Sequence, residues 1–154
     1  MRIAFIGHRQ ILDNTLFNRL YNVTEQAILS GCFHFSVGCH GEFDRIALGV
    51  LLMLKRKYKN MVIEVVLTSL SQLRTMFDEN QNDIQTVMYE IEEMHYKQKI
   101  IYSNRKMLDN CDAVICYVNP NKVVSGAKQS LNYAKKKSIP ITNLFEKAQY
   151  NNKE

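Results

Sequence analysis

No apolar stretch in the sequence approaches the roughly eighteen residues needed to cross a bilayer as a helix. The opening MRIAFIGHR returns to charge after a very short apolar run. Neither a membrane span nor the hydrophobic region of a secretory signal is expected, so the reading is of a soluble, cytoplasmic protein without a membrane partner. Cysteine is also scarce. Cys32, Cys39, Cys111 and Cys116 mostly adjoin hydrophobic segments in a chain long enough to fold without staples, which favours free thiols in a reducing compartment. His34 and His40 lie near Cys32 and Cys39, but a strand end separates His34 from Cys39 and no second C-x-x-C pair completes four ligands. No metal is expected. No cofactor is expected either: Gly38-x-x-Gly41 is neither a dinucleotide fingerprint nor a Walker A loop, and no nucleophile elbow is present. Internal repeats and a dividing linker are missing too.

What is present is the balance of an ordinary globular domain, with 46% hydrophobic and 23% charged residues in 154. One domain fits that length, assigned to residues 1–145, with a polar tail at 146–154. The formal charge of +5, from 20 Lys and Arg against 15 Asp and Glu, attracts anions mildly without selecting among them. Much of that excess sits in Lys55-Arg56-Lys57-Tyr58-Lys59 and Lys135-Lys136-Lys137. Each run reads as a helix C-terminal turn that complements the helix dipole, so a nucleic-acid partner is not expected.

Along the chain, apolar runs alternate with helical patterns. RIAFI at 2–6 reads as a strand, and Leu16, Leu20, Val23 and Ala27 with Ile28 recur at helical spacing up to a stop at Gly31. FHFSV at 33–37 is a second strand, and Ile46, Ala47, Val50, Leu51 and Leu54 form a second helical face. MVIEVVLT at 61–68 and AVICYV at 113–118 read as further strands, with a helix from about Tyr96 to Asn110 between them. AKQSLNYAKKK reads as the last helix and IPITNLF as the last strand, with Pro140 near its start. The polar stretch 69–94 is read as a short helix, a cleft-edge loop and a connector. Five strands alternating with helices predict an α/β domain with right-handed crossovers, whose ligands bind outside the carboxyl ends of the strands.

Three loops should converge there: Gly7-His8-Arg9, Gly38 to Asp44, and Asn119 to Gly126. A strand, a glycine turn and a helix start together present unpaired N–H groups suited to an anion. Gly38, Gly41, Gly126 and the N-cap candidate Ser125, followed by Ala127, are placed for this. Glu42 and Asp44 open the second helix, where a carboxylate caps the helix dipole or meets a ligand. Asp44 is the candidate for a sugar hydroxyl, and Glu42 for that or for a proton transfer. Phe43 between them is either a packed anchor or a stacking surface. His8 is either a bridge to the neighbouring loop or a donor to the ligand. Arg9 is a candidate anion contact. Arg105 shares a helical face with Ile101 and Leu108, a costly place for an unpaired charge, so it should meet either a carboxylate or a ligand phosphate.

Taken in order, MRIAFIGHR, FSVGCHGEFDRIA, NRKMLDNCDAVICYV and SGAKQSLNYAKKKSIPITNL resemble the SLOG superfamily, the Rossmann-like group named after DprA and LOG proteins. The likeness is to its small bacterial and phage members. It implies a single three-layer Rossmann-like domain with parallel strand order 3-2-1-4-5, a cleft for a nucleotide or nucleotide-derived small molecule, and a homodimer or larger homo-oligomer. Matched onto this chain, the binding positions are Gly7-His8, Gly38 to Asp44, Asn104-Arg105 and Ser125-Gly126-Ala127. LOG-like enzymes, which release a base from a nucleoside monophosphate, carry a PGG-x-GT-x-x-E motif at the final turn. Here that motif is reduced to SGAKQS, with Gln129 and no acid on the helix start. The resemblance therefore implies ligand binding, in sensing or sequestration, ahead of the alternative: an N-glycosidase or sugar transferase with Glu42 as its carboxylate.

Overall fold

The computed structural model describes residues 1–69, 72, 82–89, 94–122 and 125–146. Six strands, β1 (Arg2–Gly7), β2 (His34–Val37), β3 (Val62–Leu67), β4 (Gln85–Met88), β5 (Ala113–Tyr117) and β6 (Ile141–Asn143), form one sheet. Their order is β4-β3-β2-β1-β5-β6 and every pairing is parallel. Four helices belong with it: α1 (Leu16–Leu29), α2 (Glu42–Lys57), α3 (Tyr96–Asp109) and α4 (Gly126–Lys136).

The strand count and order correct the expectation from the sequence. The five expected strands keep their relative order, and the sixth, β4, adds outside β3, pairing Glu64 with Gln85 through Leu67 with Met88. QTVM is half-exposed at this edge, so it lacks the continuous apolar run by which a doubly covered parallel strand declares itself. The short helix expected within 69–94 lies largely outside the described residues, as does most of the 146–154 tail. Glu146, at the start of that tail, pairs with Arg19 at 3.2 Å.

Alternation along the strands divides the core. Ile3 and Phe5 of β1, Phe35 and Val37 of β2, and Val65 and Leu67 of β3 pack with Leu16, Leu20, Ala47, Val50 and Leu51 of α1 and α2. Ala4 and Ile6 of β1, with Val114 and Cys116 of β5, pack with Met107 and Leu108 of α3 and with Leu131 and Ala134 of α4. Successive side chains thus point to opposite faces and both are covered by helices, the three-layer arrangement of a parallel sheet. The basic runs end helices as expected, with Lys55, Arg56 and Lys57 in the last turn of α2 and Lys135 and Lys136 in that of α4. All four thiols are free. Burial pushes Cys39 and Cys116 up to about 12 and Cys111 to about 11, so these thiols stay protonated.

The chain leaves β1 toward β2 on one side and reaches β5 on the other. A crevice therefore opens at the carboxyl end of β1, where the crossovers diverge.

Candidate functional site

That crevice holds a cavity of about 430 Å³. One wall is the turn after β1, with Gly7, His8 and Arg9; the second is the β2–α2 turn, with His40, Gly41 and Asp44. The third is the start of α4, with Lys122, Ser125, Gly126, Ala127 and Gln129. Lys97, Ile100, Ile101 and Asn104 of α3 close the remaining side, and Ile6 contributes from β1.

Tight packing holds the first two turns together. A Cβ on Gly7 would lie 2.1 Å from the Phe43 ring, and one on Gly41 would lie 2.6 Å from the Arg9 Cα. Both positions need the missing side chain for close approach. Phe43 is fully buried and acts as the packed anchor, away from any ligand face. The N–H groups of Glu42 and Phe43 donate to the carbonyls of Arg9 (2.9 Å) and His8 (3.3 Å). The His40 N–H donates to Asp44 Oδ2 at 2.9 Å. The bonds to Arg9 and His8 take the first two amides of α2, which the sequence had offered to an anion. Gly38 does not line the cavity; a Cβ there would come 2.9 Å from Asp44 Oδ2, so it leaves room for that carboxylate.

At α4 the amides remain open. Ser125 Oγ accepts from the Lys128 N–H at 3.0 Å, and the Ser125 carbonyl accepts from Gln129 N–H at 3.1 Å. Gly126 and Ala127 come first in the helix, where N–H groups have no intrahelical acceptor. Among the described residues nothing accepts from them, and both line the cavity.

His8 ties the walls together. Its Nε2 accepts from the Asn119 N–H at 2.8 Å, which requires a neutral ring with the proton on Nδ1. Burial, then the charge of Lys122, hold it below the ordinary histidine value, in keeping with that tautomer. Both alternatives raised for His8 are compatible with this placement, since the bridge uses Nε2 and the residue still lines the cavity. His40, which sequence reasoning weighed only as a zinc ligand, lines it as well. Its Nε2 lies 3.3 Å from Thr68 Oγ1, and burial followed by the Arg9 charge lowers its pKa.

Among the described lining residues Asp44 is the one carboxylate. Burial pushes it up to about 6, opposed by the His40 N–H and the Arg9 charge. Arg9, Lys97 and Lys122 supply positive charge, and none of the three is in an ion pair among the described residues. The cavity is therefore net cationic with an apolar side.

Besides Gly38, two expected members lie elsewhere. Arg105 is exposed, with its guanidinium 5.3 Å above the Tyr133 ring. The buried side of α3 centres on Ser103, Met107 and Leu108, which turns Arg105 to solvent instead of placing it between Ile101 and Leu108. Glu42 also stands off the cavity; its Oε2 accepts from the Ile11 N–H at 2.8 Å and holds the loop after β1. Lys97, Lys122, Ile100 and Ile101 escaped the sequence reading as site residues. Lys97, Ile101 and Asn104 do recur at helical spacing, and a crossover helix starts at the carboxyl edge, so that stripe was a usable signal.

A solved structure of DNA processing protein A from Helicobacter pylori, concerned with that protein's single-stranded DNA binding mode, superposes with a TM-score of 0.68. Its fold is similar to this one. The match covers 96% of this chain at 19% identity. This chain spans 66% of the length of DNA processing protein A, and the similarity is one of Rossmann-like architecture. No protein-family model matches the chain, and no curated protein does. Among the described residues no helix is long and apolar enough to cross a membrane.

Proposed function

We propose that the chain is a SLOG-type module that binds a nucleotide or nucleotide-derived small molecule in this cavity, for sensing or sequestration. The observation that carries the reading is the pair of N–H groups of Gly126 and Ala127, unaccepted among the described residues, opening into a cavity lined by three cations that form no ion pair among those residues. A phosphate supplies the matching acceptors and charge. Ile6, Ile100 and Ile101 offer an apolar surface for a base, and Asp44 and Asn104 offer partners for sugar hydroxyls. The volume of about 430 Å³ lies in the range of small-ligand sites. Gly7, His8, Arg9 and Gly41 complete the binding wall in this reading, with the protein working in the cytoplasm as a homodimer or larger homo-oligomer.

Gly126→Pro tests the phosphate role with little disturbance of the helix. Proline is accommodated at the first helical position, and Ser125 already has the extended conformation (φ −158°, ψ 148°) that a following proline requires. The substitution removes one N–H donor, which should weaken nucleotide binding about tenfold in titration calorimetry. Unchanged affinity would remove α4 from the site. Native mass spectrometry of the freshly purified chain, with identification of any released small molecule, reports ligand and oligomeric state together.

A second reading is single-stranded DNA binding, favoured by the similarity to DNA processing protein A, although the basic runs on their own argued against a nucleic-acid partner. A salt-titrated binding assay decides it: affinity for an oligonucleotide that is negligible at low salt sinks this reading. The base-releasing alternative loses support because Glu42 is engaged with Ile11.

A further inference from the structure

We propose that the ligand is a mononucleotide phosphorylated at both ends of its sugar, of the nucleoside 3′,5′-bisphosphate class. One phosphate lies at the start of α4 beside Lys122, and the other lies beside Arg9 and Lys97. This deepens the nucleotide reading above and rests on it.

The cavity's cations come from different walls, which His8 bridges. Arg9 is seated on the entrance to α2: its carbonyl accepts from the Glu42 N–H at 2.9 Å, and its Cα occupies the space beside Gly41. Lys97 is in the first turn of α3 beside Tyr96, whose ring packs edge-on against His40 of the β2–α2 turn with centroids 6.3 Å apart. Lys122 belongs to the opposite loop. Its N–H donates to the Asn119 carbonyl at 3.2 Å, and its carbonyl accepts from Lys128 Nζ at 3.1 Å. His8 stands between the two groups, its carbonyl held by the Phe43 N–H and its Nε2 by the Asn119 N–H.

The electrostatic influence of the cations follows the same division. Arg9 acts on His40 and Asp44, and Lys122 acts on His8. The α4 amides and Lys122 account for one phosphate, leaving Arg9 and Lys97, which form no ion pair within 4 Å among the described residues. Asp44 lies on their side, but two cations outnumber it, and its carboxylate suits a hydroxyl next to the second phosphate. His8 is 93% buried, and its Nδ1–H has no acceptor among the described residues. That neutral donor in the middle fits the sugar portion. A cavity of about 430 Å³, near the lower end of the usual range, suits one nucleotide better than two joined.

Titration calorimetry on the full chain tests this with four probes: adenosine, adenosine 5′-monophosphate, adenosine 3′,5′-bisphosphate and a short single-stranded oligodeoxynucleotide. The bisphosphate should bind about tenfold or more tightly than the monophosphate, the worth of one further charge-assisted contact. Arg9→Gln together with Lys97→Gln should bring the ratio of those two affinities toward one, and Arg9→Lys should retain most of it. Both side chains are exposed, and circular dichroism checks that the variants fold. Equal affinities in the unaltered chain would overturn the proposal while leaving the nucleotide reading intact, and so would a ratio that survives the double substitution. An oligonucleotide binding more tightly than the bisphosphate would also overturn it, making the cavity one position on a strand's path. If none of the probes binds, the nucleotide reading itself fails.

Discussion

Asp44→Asn isolates the energetic effect of ionising a carboxyl inside the cavity wall. In the folded chain Asp44 is pushed up from 3.8 to about 6, so the native state binds its proton more tightly than the unfolded chain does. A group shifted in this direction adds stability below its unfolded value and loses it as pH rises through the folded one. The difference corresponds to about 3 kcal/mol, most of it lost between about pH 4 and pH 6. Asparagine keeps a side-chain oxygen to accept the His40 N–H, which the carboxylate takes at 2.9 Å, but cannot ionise. Urea denaturation of both chains at several pH values gives the stability difference directly, and the other titrating groups, common to both, largely cancel. The unaltered chain should lose ground to the variant as pH rises from 4 to 7, leaving the variant at least as stable at neutral pH. A difference that is flat across that interval, or that runs the other way, would refute the burial argument for Asp44.

Gly41→Ala would put a Cβ 2.6 Å from the Arg9 Cα; backbone must move, and a loss of about 1–3 kcal/mol is expected in the same denaturation assay. Glu42→Gln keeps an acceptor for the Ile11 N–H, so stability should fall by no more than about 1 kcal/mol and nucleotide affinity should stay within twofold. A large loss of affinity would return Glu42 to the site. His8 should appear by nitrogen NMR at neutral pH as the neutral ring protonated on Nδ1, with a pKa below 6.5. A proton on Nε2 would contradict the hydrogen bond from Asn119. Because its folded pKa is lowered, His8 removes stability as pH falls below about 6.5, the opposite sign to Asp44.

Much of the architecture was legible because parallel strands covered on both faces must be apolar along their length. RIAFI, MVIEVVLT and AVICYV could hardly be anything else in a chain of this composition. Helix ends were legible through local chemistry: Ser125 caps α4 with its own hydroxyl, and the lysine runs close α2 and α4. The convergence of the three turns followed from parallel strands with right-handed crossovers, which put every strand-to-helix turn at the carboxyl edge.

Other properties depended on contacts between residues distant in sequence. The β2–α2 and α4 turns look alike as glycine-bearing helix starts, yet the first gives its amides to the β1 loop and the second leaves them open. No local pattern distinguishes them, because the competing acceptors are carbonyls more than thirty residues away. Arg105 illustrates the same limit on a helix: periodicity groups it with Ile101 and Leu108, and only packing against the sheet and α4 decides which side of that group is buried. Strand β4 is held by its pairing to β3 with little apolar pattern of its own. The sequence by itself thus determined the layered parallel sheet and the place of the cleft, since both follow from burial periodicity and chain hand. The tertiary structure decided which amides, cations and carboxylates face the cavity, because hydrogen-bond partners and helix rotation are set by neighbours brought together only on folding.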